Sequence, residues 1–321
     1  MVSAPEALQK LIGQTGAMRQ VRDQIQRIAR SPVPVLIVGE TGTGKELCAE
    51  AIAALSGRRP FVPVNCAALP ESLVESELFG HERGAFTGAV RAHAGVIAAV
   101  DGGTLFLDEL AEVPSAVQAK LLRTLESGEY RPVGSTKTFR SQFRILAATS
   151  GDLDRIISAG HLRADLFHRL GAVRVRLPSL RERLEDIPRL AEEFLRRYLE
   201  RCDSGPARIL PEACTVLMQQ AWPGNIRQLR NVVEAAAAVA GSEPVIDMLH
   251  VVEVLASTAK DASPPDTMPS LSETRRRAEG QAILDALRLT GGNRERAAKL
   301  LRISEATLYR KLSKPPQAMS A

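Results

Sequence analysis

Asp108 and Glu109 close one apolar run, Gly102-Gly103-Thr104-Leu105-Phe106-Leu107, and Lys45 closes a glycine-rich one, Gly39-Glu40-Thr41-Gly42-Thr43-Gly44-Lys45. The second run has the spacing GxxxxGK. Where glycine carries no Cβ, backbone N–H groups can turn inward and cradle phosphates, and the lysine can neutralise the β- and γ-phosphates. Such a loop has to follow a strand and open a helix, so that the helix's positive end faces the anion. The two carboxylates supply what phosphate cleavage still needs. Asp108 would hold magnesium, and Glu109 would orient and activate the attacking water. Glu46 stands where the general pattern places a Ser or Thr on the metal. A carboxylate there could reach the metal directly or through water.

These groups must be delivered to one edge of a sheet. Strands are predicted at 33–38, 61–65, 104–107, 143–148 and 173–177, alternating with helices that include 45–56, 114–127 and 152–158. That order specifies an α/β domain with a mainly parallel sheet, whose ligand edge lies where the strands end. After Pro178 the pattern predicts helices only, at 187–201, 211–220 and 225–240, with a loop at 203–206. Residues 257–272 carry three prolines and many small polar residues and read as a linker. Between the phosphate loop and the paired carboxylates lies Gly84-Ala85-Phe86-Thr87-Gly88-Ala89, an aromatic tip hinged on two glycines.

The composition, 45% hydrophobic and 25% charged, fits a soluble globular protein. No run of eighteen apolar residues exists and no signal peptide is visible, so neither membrane insertion nor export is expected and the cytoplasm is the expected location. Cys48, Cys66, Cys202 and Cys214 form no CxxC pair and read as reduced thiols, not a metal site. The net charge of +5 is uneven. Residues 271–314 hold 11 Lys/Arg against 5 Asp/Glu, +6, which leaves −1 for the remainder. A basic C-terminal end suggests a nucleic-acid contact. There Asn293 can cap one helix, with Ala297, Ala298, Leu300 and Leu301 as its apolar face, and Ser304 can cap a second, 305–312. Two helices so tightly joined read as a helix-turn-helix. Glu305, Ala306, Thr307, Tyr309 and Arg310 would face the major groove or nearby phosphates. Arg294, Lys299, Arg302 and Lys311 are candidate phosphate contacts, and Leu308 and Leu312 core residues. The helix before them, with Ala278, Ile283, Leu284 and Leu287, could form a dimer seam.

Taken together, these residues resemble the AAA+ ATPase activators of bacterial sigma-54 RNA polymerase, over about residues 11–314. The most specific part is Glu77-Leu78-Phe79-Gly80-His81-Glu82-Arg83 followed by the intact GAFTGA loop. The resemblance implies an AAA+ P-loop NTPase of α/β class with a parallel sheet, a helical lid and a C-terminal Fis-type helix-turn-helix. The implied division is an extension at 1–10, the ATPase subdomain at 11–178, the lid at 179–256, the linker at 257–272, the DNA-binding domain at 273–314 and a tail at 315–321.

The resemblance also implies ATP and Mg2+ as cofactors. Partners would be double-stranded DNA upstream of promoters, the sigma-54 holoenzyme and further copies of the chain, as a hexamer. Gly84, Ala85, Phe86, Thr87, Gly88 and Ala89 would touch the sigma factor and move with nucleotide state, with Arg131 in a second loop beside them. Asn65 would hold Glu109 until nucleotide contacts release it. Arg163 and Arg169 would reach a neighbouring subunit's nucleotide; a surface ion pair with Asp165 is the other use open to one of the two. Thr149 belongs to the first sensor, where Ser150 replaces the family's usual Asn, and Arg227 matches the second, beside a core Trp222 and a helix cap at 223–225. The implied function is an ATP-hydrolysing activator that remodels closed promoter complexes. The alternative is a nucleotide-dependent DNA-binding regulator without remodelling. With about ten residues before the ATPase region, the chain is similar to phage-shock-type members without an N-terminal regulatory domain, which a separate protein regulates in trans.

Overall fold

A computed structural model describes residues 4–202, 205–261, 282–283, 286–287, 290 and 293–312. Residues 262–281 and 313–321, with most of the expected linker and the whole expected tail, lie outside these. So do Ala278 and Leu284 of the expected dimer seam. Two compact units divide after Glu182.

The first unit is built on a parallel sheet in the order β2-β3-β6-β1-β7. The strands are β1 (Val35–Val38), β2 (Phe61–Asn65), β3 (Thr104–Asp108), β6 (Arg144–Thr149) and β7 (Val173–Arg176). Side chains along a strand alternate between the two faces. Leu36, Leu105, Leu107, Ile145 and Ala147 pack on one face with Leu78, Leu121 and Leu166. Val35, Ile37, Phe106, Leu146 and Ala148 pack on the other with Met18, Ile25 and Ile52. Because helices cover both faces, the central strands read as nearly continuous apolar runs. A small hairpin, β4 (Glu129–Tyr130) with β5 (Phe139–Arg140), was not anticipated; two-residue strands are too short to show a period.

Strand β6 begins one residue later than expected, on Arg144, which is buried. Its guanidinium donates to the carbonyls of Ile28 (3.0 Å) and Ala29, at the end of the helix Gly16–Ile28, and to that of Val33 (3.3 Å) just before β1. The first two bonds satisfy carbonyls that the helix end leaves open. Burial, with the charge of Arg58 adding, lowers its pKa to about 10.

The second unit contains the helices Ile187–Leu199, Pro211–Met218, Asn225–Ala240 and Met248–Asp261. The expectation of helices alone is corrected by a short parallel pair, β8 (Arg208–Ile209) with β9 (Val245–Ile246). Residues 257–261 of the expected linker are the last turn of Met248–Asp261. Trp222 is core, as expected, and its Nε1 donates to Leu217 O at 2.8 Å. The cap of Asn225–Ala240 falls within 223–225, as expected: Gly224 is the cap residue, and its N–H is satisfied by Gln228 Oε1 at 3.0 Å.

The final pair of helices, Arg294–Leu300 and Glu305–Leu312, is capped as the sequence suggests. Asn293 Oδ1 accepts from Arg296 N at 3.0 Å, and Ser304 Oγ accepts from Thr307 N at 3.2 Å. Ile283, Ala286, Leu287, Ala297, Ala298 and Leu308 form their core. Among the described residues, no helix is long and apolar enough to cross a membrane.

Candidate nucleotide site and effector loop

The phosphate loop joins β1 to the helix Lys45–Ser56. Gly42 (φ 79°) and Gly44 (φ 101°) hold left-handed backbone that a side chain would strain. Thr43 Oγ1 donates to Glu40 O at 2.7 Å and closes the turn. A Cβ on Gly39 would lie 2.9 Å from Thr43 Oγ1 and 3.1 Å from the Leu177 carbonyl oxygen. The Leu177 oxygen is main chain and Thr43 Oγ1 is tied to the Glu40 carbonyl, so Gly39→Ala should distort the cradle at a cost of about 1–3 kcal/mol. The expected result in calorimetry is ATP binding weakened roughly tenfold or more.

Lys45 is only 6% exposed. Its Nζ donates to Gly39 O at 3.1 Å and to Glu109 Oε1 at 3.3 Å. Parallel pairing of β2 and β3 sets Asn65 beside Asp108, so these two candidates end at one sheet edge. Glu109 follows β3 in left-handed backbone, φ 51° and ψ 57°. That conformation costs a non-glycine residue about 1–3 kcal/mol and is found where a site over-determines it. The Glu109 N–H donates to Asp108 Oδ1 at 3.1 Å. The other Glu109 oxygen, Oε2, accepts from Ser150 N (3.1 Å) and Ser150 Oγ (2.8 Å).

The expected Asn65–Glu109 contact is corrected. Asn65 Oδ1 accepts from Ala67 N at 3.1 Å and caps the turn Cys66–Ala68. An Asn reaches the amide two residues on with little chain ordering. Cys66, next in sequence, is buried near both carboxylates; burial first, then the Asp108 and Glu109 charges, push its thiol up to about 12. It is inert as a nucleophile at neutral pH. Thr149 is fully buried, and its Oγ1 has no hydrogen-bond partner among the described residues. Its carbonyl accepts from Gly39 N at 3.4 Å, which ties the end of β6 to the phosphate loop. Glu46 is exposed on the first helical turn. The cradle without room for a Cβ and the buried lysine fit a nucleotide's phosphates, and Asp108 and Glu46 offer the hard oxygen donors that magnesium prefers.

Three features went unread in the sequence. Arg181 pairs bidentately with Glu40 of the phosphate loop, one contact at 2.8 Å, and this hydrogen bonding raises the arginine's pKa. No local pattern marks a pairing between residues so far apart in the chain. The Ser150 contact is the second, and the ring of His81 under the loop tip is the third.

The outer arginine candidates sit on the surface. Arg163 is spent on Asp165, with bonds of 2.8 and 3.1 Å that hold the aspartate's carboxyl below its usual range. That is the ion pair named as the other use. Arg169 is exposed, and its Nη2 reaches Leu125 O at 3.2 Å. Arg227 is exposed on the first turn of Asn225–Ala240, in the second unit.

Gly84 (φ 81°) and Gly88 (φ 105°) turn the loop at 84–89, whose base is closed by Gly84 N to Ala89 O at 2.8 Å. Thr87 is exposed and Ala89 buried. Phe86 is 37% exposed, its ring edge-on to His81 at 4.9 Å between centroids. The expected second loop does lie alongside. A Cβ on Gly134 would come within 2.9 Å of Ala85 Cβ, and Arg131 Nε donates to Thr138 Oγ1 at 2.8 Å.

In the C-terminal helices, Glu305 and Arg302 are exposed, and Arg294 is half-buried. Lys299 pairs with Glu295 at 2.6 Å, and Thr307 is half-buried beside Ser304. The side chains of Tyr309, Arg310 and Lys311 lie outside the described residues.

Residues 11–176 match the sigma-54 interaction domain family, 181–267 the AAA+ ATPase lid domain, and 274–314 the Fis family of bacterial regulatory proteins. The transcriptional regulatory protein ZraR of Salmonella typhimurium is 43% identical, over 97% of this chain and 70% of its own length. The Nif-specific regulatory protein of Azotobacter vinelandii is 44% identical, over 91% of this chain and 56% of its own. The crystal structure of NtrX from Brucella abortus in complex with ATP superposes with a TM-score of 0.72 at 35% identity, covering 94% of this chain and 68% of that one. The Holliday junction branch migration motor RuvB of Thermotoga maritima, at 16% identity and TM-score 0.53, shares the fold alone. On these matches, the chain belongs to the sigma-54-dependent transcriptional activator family, with an AAA+ P-loop domain, a helical lid and a Fis-type helix-turn-helix for DNA.

Proposed function

We propose that this protein hydrolyses ATP in a ring of its own copies and uses the loop at 84–89 to remodel sigma-54 RNA polymerase, at promoters whose upstream DNA its C-terminal helices bind. The observation that carries the reading is the placement of Glu109. It is held on both carboxylate oxygens, by Lys45 of the phosphate loop and by Ser150. Such restraint suits a residue that must aim a water molecule.

In this reading Lys45 leaves Glu109 to neutralise phosphate, and the freed carboxylate orients the attacking water. Asp108 and Glu46 would hold magnesium, which when bound offsets charge on the phosphates. Arg163, once released from Asp165, and Arg169 would be supplied to a neighbour's nucleotide, where a guanidinium stabilises charge on the transferred phosphoryl group. Thr149 and Arg227 would report whether the γ-phosphate is present. ATP-bound NtrX, similar over nearly the whole chain, supports nucleotide at this site. The alternative, a regulator that uses nucleotide only to set its assembly, leaves the exposed Phe86 loop without a task.

Trans-acting arginines make a specific demand on the kinetics. Hydrolysis per protomer should climb steeply with protein concentration, and Arg169→Ala should remove that climb. A per-protomer rate that is flat from nanomolar to micromolar protein, measured by phosphate release, contradicts the ring mechanism.

A further inference from the structure

The phosphate loop carries a carboxylate of its own. Glu40 follows Gly39, whose carbonyl accepts from Lys45 Nζ at 3.1 Å, and the Glu40 carbonyl accepts from Thr43 Oγ1 at 2.7 Å. Its side chain therefore springs from the turn that shapes the cradle. A negative charge at that place repels a triphosphate, which Lys45 and the loop's N–H groups have to attract. Arg181 covers both Glu40 oxygens with its guanidinium fork, Nη1 to Oε2 at 2.8 Å and Nη2 to Oε1. The arginine is held where it can do so. Leu177 N donates to Val38 O at 2.8 Å, which keeps the chain after β7 alongside the end of β1. Glu182 staples the turn that follows: its Oε2 accepts from Ser179 N (2.8 Å) and Ser179 Oγ (3.0 Å), and its Oε1 from Arg176 Nη2 at 2.7 Å. Ser179 and Leu180 are buried, and Arg181 leaves that turn toward the phosphate loop.

We propose that Arg181 sets the affinity of the phosphate loop for ATP by neutralising Glu40, a positioning role exercised through the loop's own carboxylate. The inference rests on the reading of this loop as an ATP site and adds to that site a residue from outside the loop. The side chains of Arg181 and Glu40 stay 52% and 40% exposed. An ion pair so exposed contributes little to the stability of a fold. Its effect lies in the potential that an arriving anion meets, and that potential is open to screening by salt.

A double-mutant cycle on the full-length protein tests this, read by calorimetry with a non-hydrolysable ATP analogue and magnesium. Arg181→Ala uncovers the carboxylate and should weaken binding of the analogue about tenfold, the effect of one unit charge at a partly exposed site. In a Glu40→Gln background the same substitution should weaken binding less than about twofold, because no charge is left to neutralise. The tenfold loss should also shrink to under about threefold between about 0.05 and 0.5 M KCl, as the Debye length contracts. Arg181→Gln, which can still donate to Glu40 but brings no charge, should lose affinity as the alanine variant does. Equal losses in both backgrounds, a loss indifferent to salt, or parent-like binding by either arginine variant overturns the proposal. Thermal unfolding of Arg181→Ala should stay within about 3 °C of the parent, as expected for an exposed pair. A parent protein that binds no analogue would instead remove the ATP reading, so the parent's own titration tells the two failures apart.

Discussion

Glu109→Gln should bind ATP and almost cease to hydrolyse it, with turnover reduced about 10²–10⁴-fold, the range of a general base. The amide has the volume of the carboxylate and can still accept from Ser150 through its oxygen, so the local fold should hold. What disappears is the negative charge that meets Lys45 at 3.3 Å and would draw a proton from water. Because Lys45 then has no carboxylate partner to leave, the Kd for ATP should be unchanged or up to about threefold tighter. Calorimetry for binding and single-turnover phosphate release for chemistry separate the two effects. Hydrolysis retained near the parent rate would remove Glu109 from the mechanism. Loss of binding together with hydrolysis would make its role structural.

Phe86→Ala should give the opposite split. ATPase activity should stay within about twofold of the parent, because Phe86 contacts none of the residues that meet at the phosphate loop and the loop's base is closed by main-chain bonds. The substitution removes the edge-on packing against His81, worth about 0.5–1.5 kcal/mol. Promoter opening, in contrast, should fall to background. Phe86 is the one large apolar side chain of the segment 84–89, it is partly exposed, and it sits between two glycine hinges. An exposed aromatic in such a place is suited to a protein contact. Electrophoretic assays of open complexes, run beside phosphate release on the same preparation, test this. An alanine variant that opens promoters normally would deny the loop its role.

How much of this could be read beforehand depended on how local each cause is. The phosphate loop, the paired carboxylates and the glycine-hinged loop are contiguous patterns, and the sheet brings the first two together because parallel strands end on one edge. Strand ends moved by a residue or two, as at β1 and β6, where the buried Arg144 does not look like a strand's first residue. Side-chain partners distant in sequence were not legible, in contrast to the Arg163–Asp165 pair and the Asn293 and Ser304 caps. Asn65 can accept from its own turn through Oδ1 and donate to a carboxylate through Nδ2, and only geometry shows which bond is made. Ser150 was visible as an unusual residue at a sensor position, yet its reach to Glu109 depends on the left-handed turn after β3. The Arg181–Glu40 pair joins residues 141 apart, and no periodicity records such a contact. In the second unit, β8 and β9 are two residues each, below the length at which alternation can be seen.

The account stands most directly on coupling between phosphate cleavage and promoter melting. Permanganate reactivity of thymines at a sigma-54 promoter, with purified polymerase and this protein, reads melting base by base. The account predicts reactive thymines with ATP, and none with a non-hydrolysable analogue or with the Lys45→Ala protein. Equal reactivity under all three conditions would contradict it.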